Sequence, residues 1–488
     1  MTRPLWTNNE WTFDLLKDTW TEIEKIGVGE MGLNLYPNQF EIISSEQMLD
    51  AYSSIGLPVY YKHWSFGKRH AHDSESYKTG ASGLAFEIVI NSNPCINYLM
   101  EDNTMTTQAL VMAHAGVGHN WFFKNNYMFK DWTDASSIVD YLIFAKDYIE
   151  KVEQREGTQT VERFLDSCHA LSEHGVNRYK HPTKLSMEKE KSRLREREEY
   201  IQSQVDDMYK ILPKKKKADD NLKIFPEQPE ENILYFCEKY APNLEPWQRE
   251  IIRIVRKISQ YLYPQGLTKT INEGTASFIH HTIMNRMHDK GLITDGAYLE
   301  FISLHASVIY QPPWKHKYYS GINPYKLGFE ILKDVERICN SPTPEDKEWF
   351  PNLIGQNSLE QITNIVENYR DESFVRQFLS PKIIRDLRLF HLSDDRTNTE
   401  SYSVDHIHNQ QGYQNIRENL ANQYEREQYV PRIEVIKLSK HDKTLHLMHT
   451  EINGKKLSDP KKMLYHLRLL WTNNVVLYDQ KENVIAKA

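Results

Sequence analysis

Apolar residues at helical spacing dominate two long stretches of this chain, about residues 103–170 and 231–390, and they limit the fold to one built mainly from helices. Hydrophobic residues make up 40% of the 488 residues and aromatic residues 11%, which is enough to bury a large core. Wholesale disorder is therefore excluded. No run approaches about 18 consecutive apolar residues, so we expect no membrane-spanning helix.

Helix boundary signals refine the first of these stretches. One helix is predicted to begin at Asn103 or Thr104, and the next is predicted to follow Thr133 as its N-cap. Gly157 lies just past the predicted end of that second helix. A third helix carries Val161, Phe164, Leu165 and Cys168 on one face.

Strand patterns are shorter and lie mainly near the C-terminus. They are predicted at residues 84–90, 433–438, 444–449 and 475–478, with a helix at 460–471 before the last of them. The predicted fold class is α+β and predominantly α-helical. It comprises a large helical N-terminal domain with a small sheet, plus a small C-terminal α+β module.

Charge and composition shifts suggest where the domains divide. We predict a main domain at residues 1–395 and a C-terminal module at 396–488. A charged helical insertion ending in a linker is predicted to interrupt the main domain at about 181–230. The four lysines at 214–217 within it are typical of a solvated linker, although a nuclear-import or phosphate-binding segment would have the same pattern.

Several classes of protein are disfavoured by what the sequence lacks. A net charge of -7 disfavours a general nucleic-acid binder. The four cysteines are far apart without a Cys-x-x-Cys pair, which argues against a disulfide scaffold or a thiolate zinc site. No Walker, Gly-x-Gly-x-x-Gly or Gly-x-Ser-x-Gly motif occurs. The first residues lack the apolar core of a secretory signal, so a cytoplasmic protein is expected.

Histidines and carboxylates supply the pattern that can carry chemistry. His114 and His119 are five positions apart, which places them about 140° apart around a regular helix, whereas zinc-binding pairs are usually four apart. They can converge only if the helix bulges or unwinds between them, and Gly116 and Gly118 make a π-bulge plausible. The catalytic Glu of the His-Glu-x-x-His zinc peptidases is absent, because Ala115 follows His114.

Further candidates come from three other segments. Glu273 and His280 are seven positions apart and share one helix face, so with the first two histidines they form a coherent set of divalent-metal ligands. His169 falls on the buried side of its helix and is either a further ligand or a hydrogen-bonded core residue. Glu87 lies in an apolar strand and is a hydrogen-bonding partner of a ligating histidine, a general base, or a solvent-facing residue of an edge strand.

A basic stripe on the helix that begins near Pro246 is the remaining charged pattern. Arg249, Arg253, Arg256 and Lys257 lie on one helix face. The stripe is interpreted as a solvent-facing surface, and pairing with the acidic insertion or with a phosphate is the alternative.

Eight segments follow one another in a recognisable order: YPNQ (36–39), HWSFGK (63–68), INSNPC (90–95), HAGVGH (114–119), FFKNN (122–126), EPWQ (245–248), NEG (272–274) and GINPY (321–325). In these segments, over nearly its whole length, the chain resembles the SpoVR family, stage V sporulation protein R and its relatives in non-sporulating bacteria. Thr275 departs from the family, which usually has Trp after Asn-Glu-Gly. The resemblance implies a role in spore-cortex formation or stress response, beside a PrkA-type serine protein kinase and a protein with a von Willebrand-like domain. It does not specify a reaction.

Two hypotheses of function follow. The first is a metal-dependent hydrolase, peptidase-like or amidase-like, in which His114, His119 and His280 bind zinc or another divalent ion. Glu273 is then a fourth ligand or the base that activates water, and Glu87 is a second candidate base. The alternative is a non-catalytic regulator or scaffold that binds a partner such as the kinase through the charged insertion and the basic stripe. In that case a structural metal, or a metal-free histidine network, holds helices together.

Overall fold

The computed structural model of the chain is mainly helical, with small sheets. The structure describes residues 3–53, 56, 57, 59–78, 86–179, 225, 226, 228–313, 316, 317, 319–389, 391–394, 402–405, 409–425, 430–439, 441–452 and 456–488. The predicted α+β, predominantly helical class is confirmed. Most of the predicted charged insertion lies outside the described residues.

Helices account for most of the described residues. The α-helices are α1 (Phe13–Glu24), α2 (Ser45–Ser53), α3 (Trp64–Lys78), α4 (Met105–Val111), α5 (Asn120–Asn125), α6 (Tyr127–Trp132), α7 (Ile138–Glu156), α8 (Thr158–Ala170), α9 (Ile233–Tyr240), α10 (Pro246–Leu262), α11 (Lys269–Asp289), α12 (Asp295–Val308), α13 (Pro324–Asn340), α14 (Pro344–Trp349), α15 (Ser358–Asn368), α16 (Asp371–Phe378), α17 (Pro381–Asp386), α18 (Gln410–Tyr424) and α19 (Pro460–Trp471). π-Helices span Lys25–Glu30 and Met112–His119, and 3₁₀ turns span Ser172–His174, Pro264–Leu267 and Pro351–Leu353.

Strands form three small sheets among the residues that the structure describes. They are β1 (Asn38–Ile43), β2 (Glu87–Ile90), β3 (Cys95–Met100), β4 (His391–Asp394), β5 (Tyr402–Asp405), β6 (Arg432–Leu438), β7 (Leu445–Thr450), β8 (Val475–Tyr478) and β9 (Val484–Lys487). The sheet orders are β1-β3-β2, β4-β5 and β6-β7-β8-β9.

The chain divides into two compact units, each with its own internal contacts. The first unit comprises Met1–Glu162 and Tyr261–Gln428, and the second comprises Arg163–Gln260 and Tyr429–Ala488. The division rests on contacts within the described residues. The predicted boundary near residue 395 lies in a segment outside them and stays a prediction.

The first unit is built around the long helix α11. This helix packs against α13 on one side and against the π-helix Met112–His119 on another. Its core includes fully buried aromatic side chains such as Phe122, Phe301 and Phe374. The small sheet of this unit pairs β1 parallel and β2 antiparallel with β3. Strand β2 is therefore an edge strand, and Glu87 is its first residue.

The second unit contains the four-stranded sheet. β6 and β7 are antiparallel, β7 and β8 are parallel, and β8 and β9 are antiparallel. Helix α19 packs against β8 and β9 and buries Trp471 completely. The predicted helix at 460–471 and strand at 475–478 are confirmed to the residue.

Some helix boundaries differ from the predictions. Helix α4 begins after the cap Thr104, as predicted, and Gly157 ends α7 with a φ of 87°. The predicted N-cap Thr133 is wrong: Thr133 ends α6, and Ser137 precedes α7. The turn after Thr133 lies between the two helices, and α7 begins only at Ile138. None of the helices in the described part combines the length and apolar content needed to span a bilayer.

Candidate metal centre

Two histidines and a glutamate converge inside the first unit. His114 and His119 come from the π-helix Met112–His119, and Glu273 comes from the first turns of α11. One ligand atom from each of the three side chains lies within 4.8 Å of the other two. His114 is 4% exposed, His119 6% and Glu273 16%, so the group is nearly closed to solvent.

The π-helical backbone is what brings the two histidines together. The amide of Asn120 donates to the carbonyl of Ala115, five residues earlier, instead of four as in an α-helix. Residues five apart therefore come onto a common side, and the rings of His114 and His119 lie 4.7 Å apart. The predicted bulge between the two histidines is confirmed.

Small residues and one asparagine hold the π-helix in place. A Cβ on Gly116 would lie 2.8 Å from the ring of Phe40, and a Cβ on Gly118 would lie 2.5 Å from the Cα of Ala276. The carbonyl of Gly116 accepts a hydrogen bond of 2.9 Å from the side-chain amide of Asn38. Through this hydrogen bond, Asn38 on β1 holds the backbone of the π-helix that carries the two histidines.

Distances within the group are longer than good hydrogen bonds and close to those between ligands of one ion. The Oε2 atom of Glu273 lies 3.4 Å from Nε2 of His119 and 3.8 Å from Nε2 of His114. Bonds of about 2.0–2.1 Å in a tetrahedral zinc site place neighbouring ligand atoms about 3.3–3.4 Å apart. Good hydrogen bonds to nitrogen are shorter, about 2.7–3.2 Å. The spacing thus fits two nitrogens and an oxygen around a cation better than direct hydrogen bonding.

Glu273 provides the strongest sign that the group fits a metal. Its Oε2 atom is buried and has no hydrogen-bond partner among the described residues. A buried carboxylate oxygen without a hydrogen-bond partner is costly. A divalent cation held by Glu273, His114 and His119 would satisfy all three atoms together, and this donor set suits zinc.

His119 is oriented by a neighbour of the glutamate. Its Nδ1 lies 2.9 Å from the side-chain oxygen of Asn272, which can only accept a hydrogen bond. The proton of a neutral His119 is therefore held on Nδ1, and Nε2 faces Glu273 with a free lone pair. Metal-binding histidines generally have such an acceptor behind them.

His280 approaches His114 from the side away from the glutamate. The Nδ1 atoms of His114 and His280 lie 2.8 Å apart, and Nε2 of His280 lies 2.7 Å from Nδ1 of His305. Both ring nitrogens of His280 are thus engaged by other imidazoles. His280, which was predicted as a ligand, lies next to the three-residue group but is not a member of it.

Glu87 faces the group from the edge strand β2. Its Oε1 lies 3.8 Å from Nε2 of His114, and its side chain is only 18% exposed. Burial raises the pKa of the Glu87 carboxyl, although the nearby His114 and His119 act in the opposite direction. Of the three interpretations of Glu87, a solvent-facing residue does not match this position.

The pKa values of the buried residues in and beside the group shift in different directions. Burial alone would raise the pKa of Glu273, but the nearby imidazoles of His119 and His114 outweigh it, and the pKa lies below its ordinary value. Burial likewise lowers the pKa of His119, but the Glu273 carboxylate more than offsets this, so the pKa is raised. Burial and neighbouring imidazoles lower the pKa of His280. Burial, together with His281 and Lys326, lowers the pKa of His305 to about 3.

Tyr325, which the sequence indicated only as the last residue of the matching segment at 321–325, is a further member of the site. Its ring stacks on His114 with centroids 6.3 Å apart and planes 16° apart. Burial raises the pKa of its hydroxyl, and the carboxylates of Glu273 and Glu87 raise it further. Asn323 caps the start of α13 and so sets the position of Tyr325 on the first turn. The phenol therefore stays protonated beside the carboxylates.

His169 and the basic stripe lie elsewhere. His169 is on α8 in the second unit and is not part of the three-residue group, so its ligand role stays a prediction. Within the second unit, Arg249 donates to the carbonyls of Glu238 and Ala241. Arg253 and Arg256 bind the Glu238 carboxylate, which is buried. The stripe thus holds α10 against α9.

Comparison with known proteins gives one family and one close relative. A model of the family described as SpoVR like protein matches residues 10–429. The chain is similar to YcgB of Escherichia coli (strain K12), described as an uncharacterized protein, with 52% identity over 479 residues that cover 97% of this chain and 93% of YcgB. No solved structure matches the chain.

Proposed function

This chain belongs to the SpoVR family, and we propose that it is a metal-dependent hydrolase whose divalent ion is bound by His114, His119 and Glu273. The observation that carries the proposal is the unpartnered Oε2 of Glu273, which lies 3.4 and 3.8 Å from two imidazole nitrogens. Zinc is the ion that this set of donors favours.

The side chains around the ion have complementary roles. A bound divalent ion lowers the pKa of its water and so supplies a nucleophile at neutral pH. Glu87, close to His114 and with a raised pKa, is placed to accept a proton from that water and to return it to the leaving group. Tyr325 keeps its proton and is placed to donate a hydrogen bond to the oxygen that becomes negative during attack. Glu273 acts as a ligand rather than as the base.

An amide or peptide bond is the proposed substrate. Hydrolysis joins the oxygen of water to the carbonyl carbon, breaks the carbon–nitrogen bond, and moves one proton through Glu87 to the departing amine. The proposal follows from the resemblance of this donor set, two histidines and one glutamate, to the ligands of zinc peptidases. A place in spore-cortex formation or stress response is proposed from the family alone.

Metal content and activity together test the proposal. Purified wild type should contain about one equivalent of zinc or another divalent ion, and His114→Ala and Glu273→Ala should lose it. Turnover of a library of peptides and amides should require that ion. A metal-free wild type that also fails to bind added zinc, cobalt or manganese would contradict the metal site. Stoichiometric metal without any hydrolysis would contradict the reaction only.

The second proposal is a regulator that binds a PrkA-type kinase. It rests on the family and on the predicted insertion at about 181–230. The basic stripe offers it little support, because Arg249, Arg253 and Arg256 are engaged within the second unit. Co-purification with the kinase, before and after deletion of residues 181–225, tests it. Undiminished binding after the deletion would count against it.

A further inference from the structure

Three imidazoles form a hydrogen-bonded row behind the candidate metal centre. His114 contacts His280 through their Nδ1 atoms at 2.8 Å, and Nε2 of His280 contacts Nδ1 of His305 at 2.7 Å. Their exposures are 3%, 0% and 6%, so water does not compete for these contacts. We call His114, His280 and His305 the imidazole row.

Each contact between two ring nitrogens requires one hydrogen between them, because a nitrogen that carries no proton can only accept. A cationic His280 would satisfy both contacts, but it is fully buried and is contacted by two further imidazoles rather than by a carboxylate. Neutral rings leave two arrangements. Either every ring donates away from the metal centre, or every ring donates toward it.

The two arrangements have opposite consequences for the metal. If His114 donates from Nδ1 to His280, its Nε2 has a free lone pair directed at Glu273 and His119. If His280 donates to Nδ1 of His114, the proton of His114 lies on Nε2 and blocks coordination. Because His280 has a single proton, the choice at His114 is tied to which nitrogen of His305 carries a proton.

We infer that His280 and His305 are positioning residues that fix the tautomer of His114 and so determine how tightly the centre binds its ion. The inference rests on the metal site of the proposed function and not on its reaction. It also separates the two histidine ligands. The side-chain oxygen of Asn272 can only accept a hydrogen bond from His119. Nδ1 of His280 can either accept a hydrogen bond from His114 or donate one to it, and the contact of His280 with His305 decides which.

Replacement of His280 gives a direct test on the full-length protein. His280→Leu removes the acceptor behind His114, and His280→Asn restores an acceptor close to the position of Nδ1. The matched control is His288→Leu on the same helix, because His288 contacts Asp295 and stacks on Tyr298 and has no contact with the row. Zinc affinity is measured by competition with a chelator of known affinity. Circular dichroism and thermal unfolding establish that each variant is folded.

The expected result is a loss of about 10–100-fold in zinc affinity for His280→Leu, the range typical when the partner of a ligating histidine is removed. His280→Asn should recover most of that loss, and His288→Leu should bind zinc like wild type. In the zinc-loaded wild type, ¹⁵N NMR of labelled histidines should show His114 protonated on Nδ1 and His280 on Nε2. If His280→Leu does not fold, His305→Phe provides the test, with a loss of affinity of about 3–10-fold expected from a more distant partner.

The outcomes distinguish this inference from the proposed function. Zinc binding by a folded His280→Leu that equals wild type, or a zinc-loaded His114 protonated on Nε2, would overturn the inference and leave the metal site intact. Weakened zinc binding in His280→Leu with no hydrolysis in wild type would support the inference and contradict the reaction. Failure of the wild type to bind zinc would overturn both.

Discussion

Gly274 and Gly328 bring α11 and α13 into backbone contact, since a Cβ added to Gly274 would lie 2.4 Å from the Cα and carbonyl carbon of Gly328. This contact occurs one residue after Glu273 and one turn after Tyr325. The close approach of the two helices therefore sets how far the phenol lies from the glutamate. Gly274 and Gly328 contact no ligand residue's side chain, but their close packing helps to set the geometry of the site.

Gly274→Ala should force the two helices apart. Overpacking of a tight core contact costs about 1–3 kcal/mol or more, and here the opposing atoms are backbone and cannot rotate away. We expect that loss in the free energy of unfolding, measured with urea, together with weaker zinc binding. Gly67→Ala is the control, because nothing lies within 4 Å of its added Cβ and the change should be neutral or slightly stabilising. Equal effects of the two variants would contradict the argument.

Zinc should stabilise the wild type against heat. A ligand that binds only the folded state contributes about 2.7 kcal/mol when its free concentration is 100 times its Kd. We expect zinc to raise the thermal midpoint of wild type and to leave that of His119→Ala unchanged. His288→Ala, which removes a histidine of the same helix outside the three-residue group, should respond like wild type. A midpoint that rises equally in His119→Ala would show that zinc binds elsewhere.

Replacement of Asn38 should destabilise the protein, because this strand residue holds the backbone of the π-helix. Its amide nitrogen donates to the carbonyl of Gly116, and its oxygen accepts from Asn97 and Asn120. Asn38→Asp removes the donor and leaves the carbonyl of Gly116 facing an oxygen. We expect a loss of about 1–3 kcal/mol in the free energy of unfolding. The exposed neighbour Gln39→Ala should change it by less than about 0.5 kcal/mol. Similar losses for both would contradict the role assigned to Asn38.

The spacing of the two site histidines is the part of the site that the sequence predicted best. Five positions and two glycines required a bulge, because a regular helix would have separated His114 from His119. The seven-residue spacing of Glu273 and His280 also placed both toward the same neighbours. Spacing fixes the face of a helix but not the reach of each side chain along it. Whether His280 contacts an ion or another imidazole therefore depended on the position of His305, which no local pattern reveals.

The remaining site residues depended on long-range packing. Glu87 opens an edge strand, and an alternating pattern cannot tell which face of such a strand is covered. Tyr325 follows a loop whose course is set by Asn323 and by the contact of α13 with α11. The predicted cap Thr133 was wrong because Thr133 satisfies the end of α6, and a threonine can serve at either end of a helix.

Acid should destabilise the second unit through His174. Burial, with Arg178 and His449 nearby, lowers the pKa of His174 to about 4, below the ordinary value of 6.5. Between those values the unfolded chain binds a proton that the folded chain does not, so stability falls as pH decreases from about 6.5 to 4. The full effect is at most about 3 kcal/mol.

Hydrogen exchange of the β6–β9 amides at pH 7 and pH 4.5 measures this loss. His174→Gln removes the titrating group and should flatten the dependence on pH. The exposed His441→Gln is the control, since it removes a histidine from the same unit without removing a buried one. An unchanged slope in His174→Gln would contradict the assignment.

Glu87→Gln should separate the base from the ligands. Gln keeps the size of the side chain and a polar tip toward His114, but it cannot accept a proton at neutral pH. If Glu87 is the base and Glu273 the ligand, the variant should bind zinc within about threefold of wild type, while turnover falls by about 10²–10⁴, the range typical for loss of a general base.

Glu273→Gln should instead weaken zinc binding itself, because an amide is a poorer ligand than a carboxylate. Loss of zinc in Glu87→Gln with retention in Glu273→Gln would exchange the two roles. Zinc titration and turnover measured on the same preparations decide between them, since the two carboxylates approach His114 at the same distance of 3.8 Å and distance alone does not rank them.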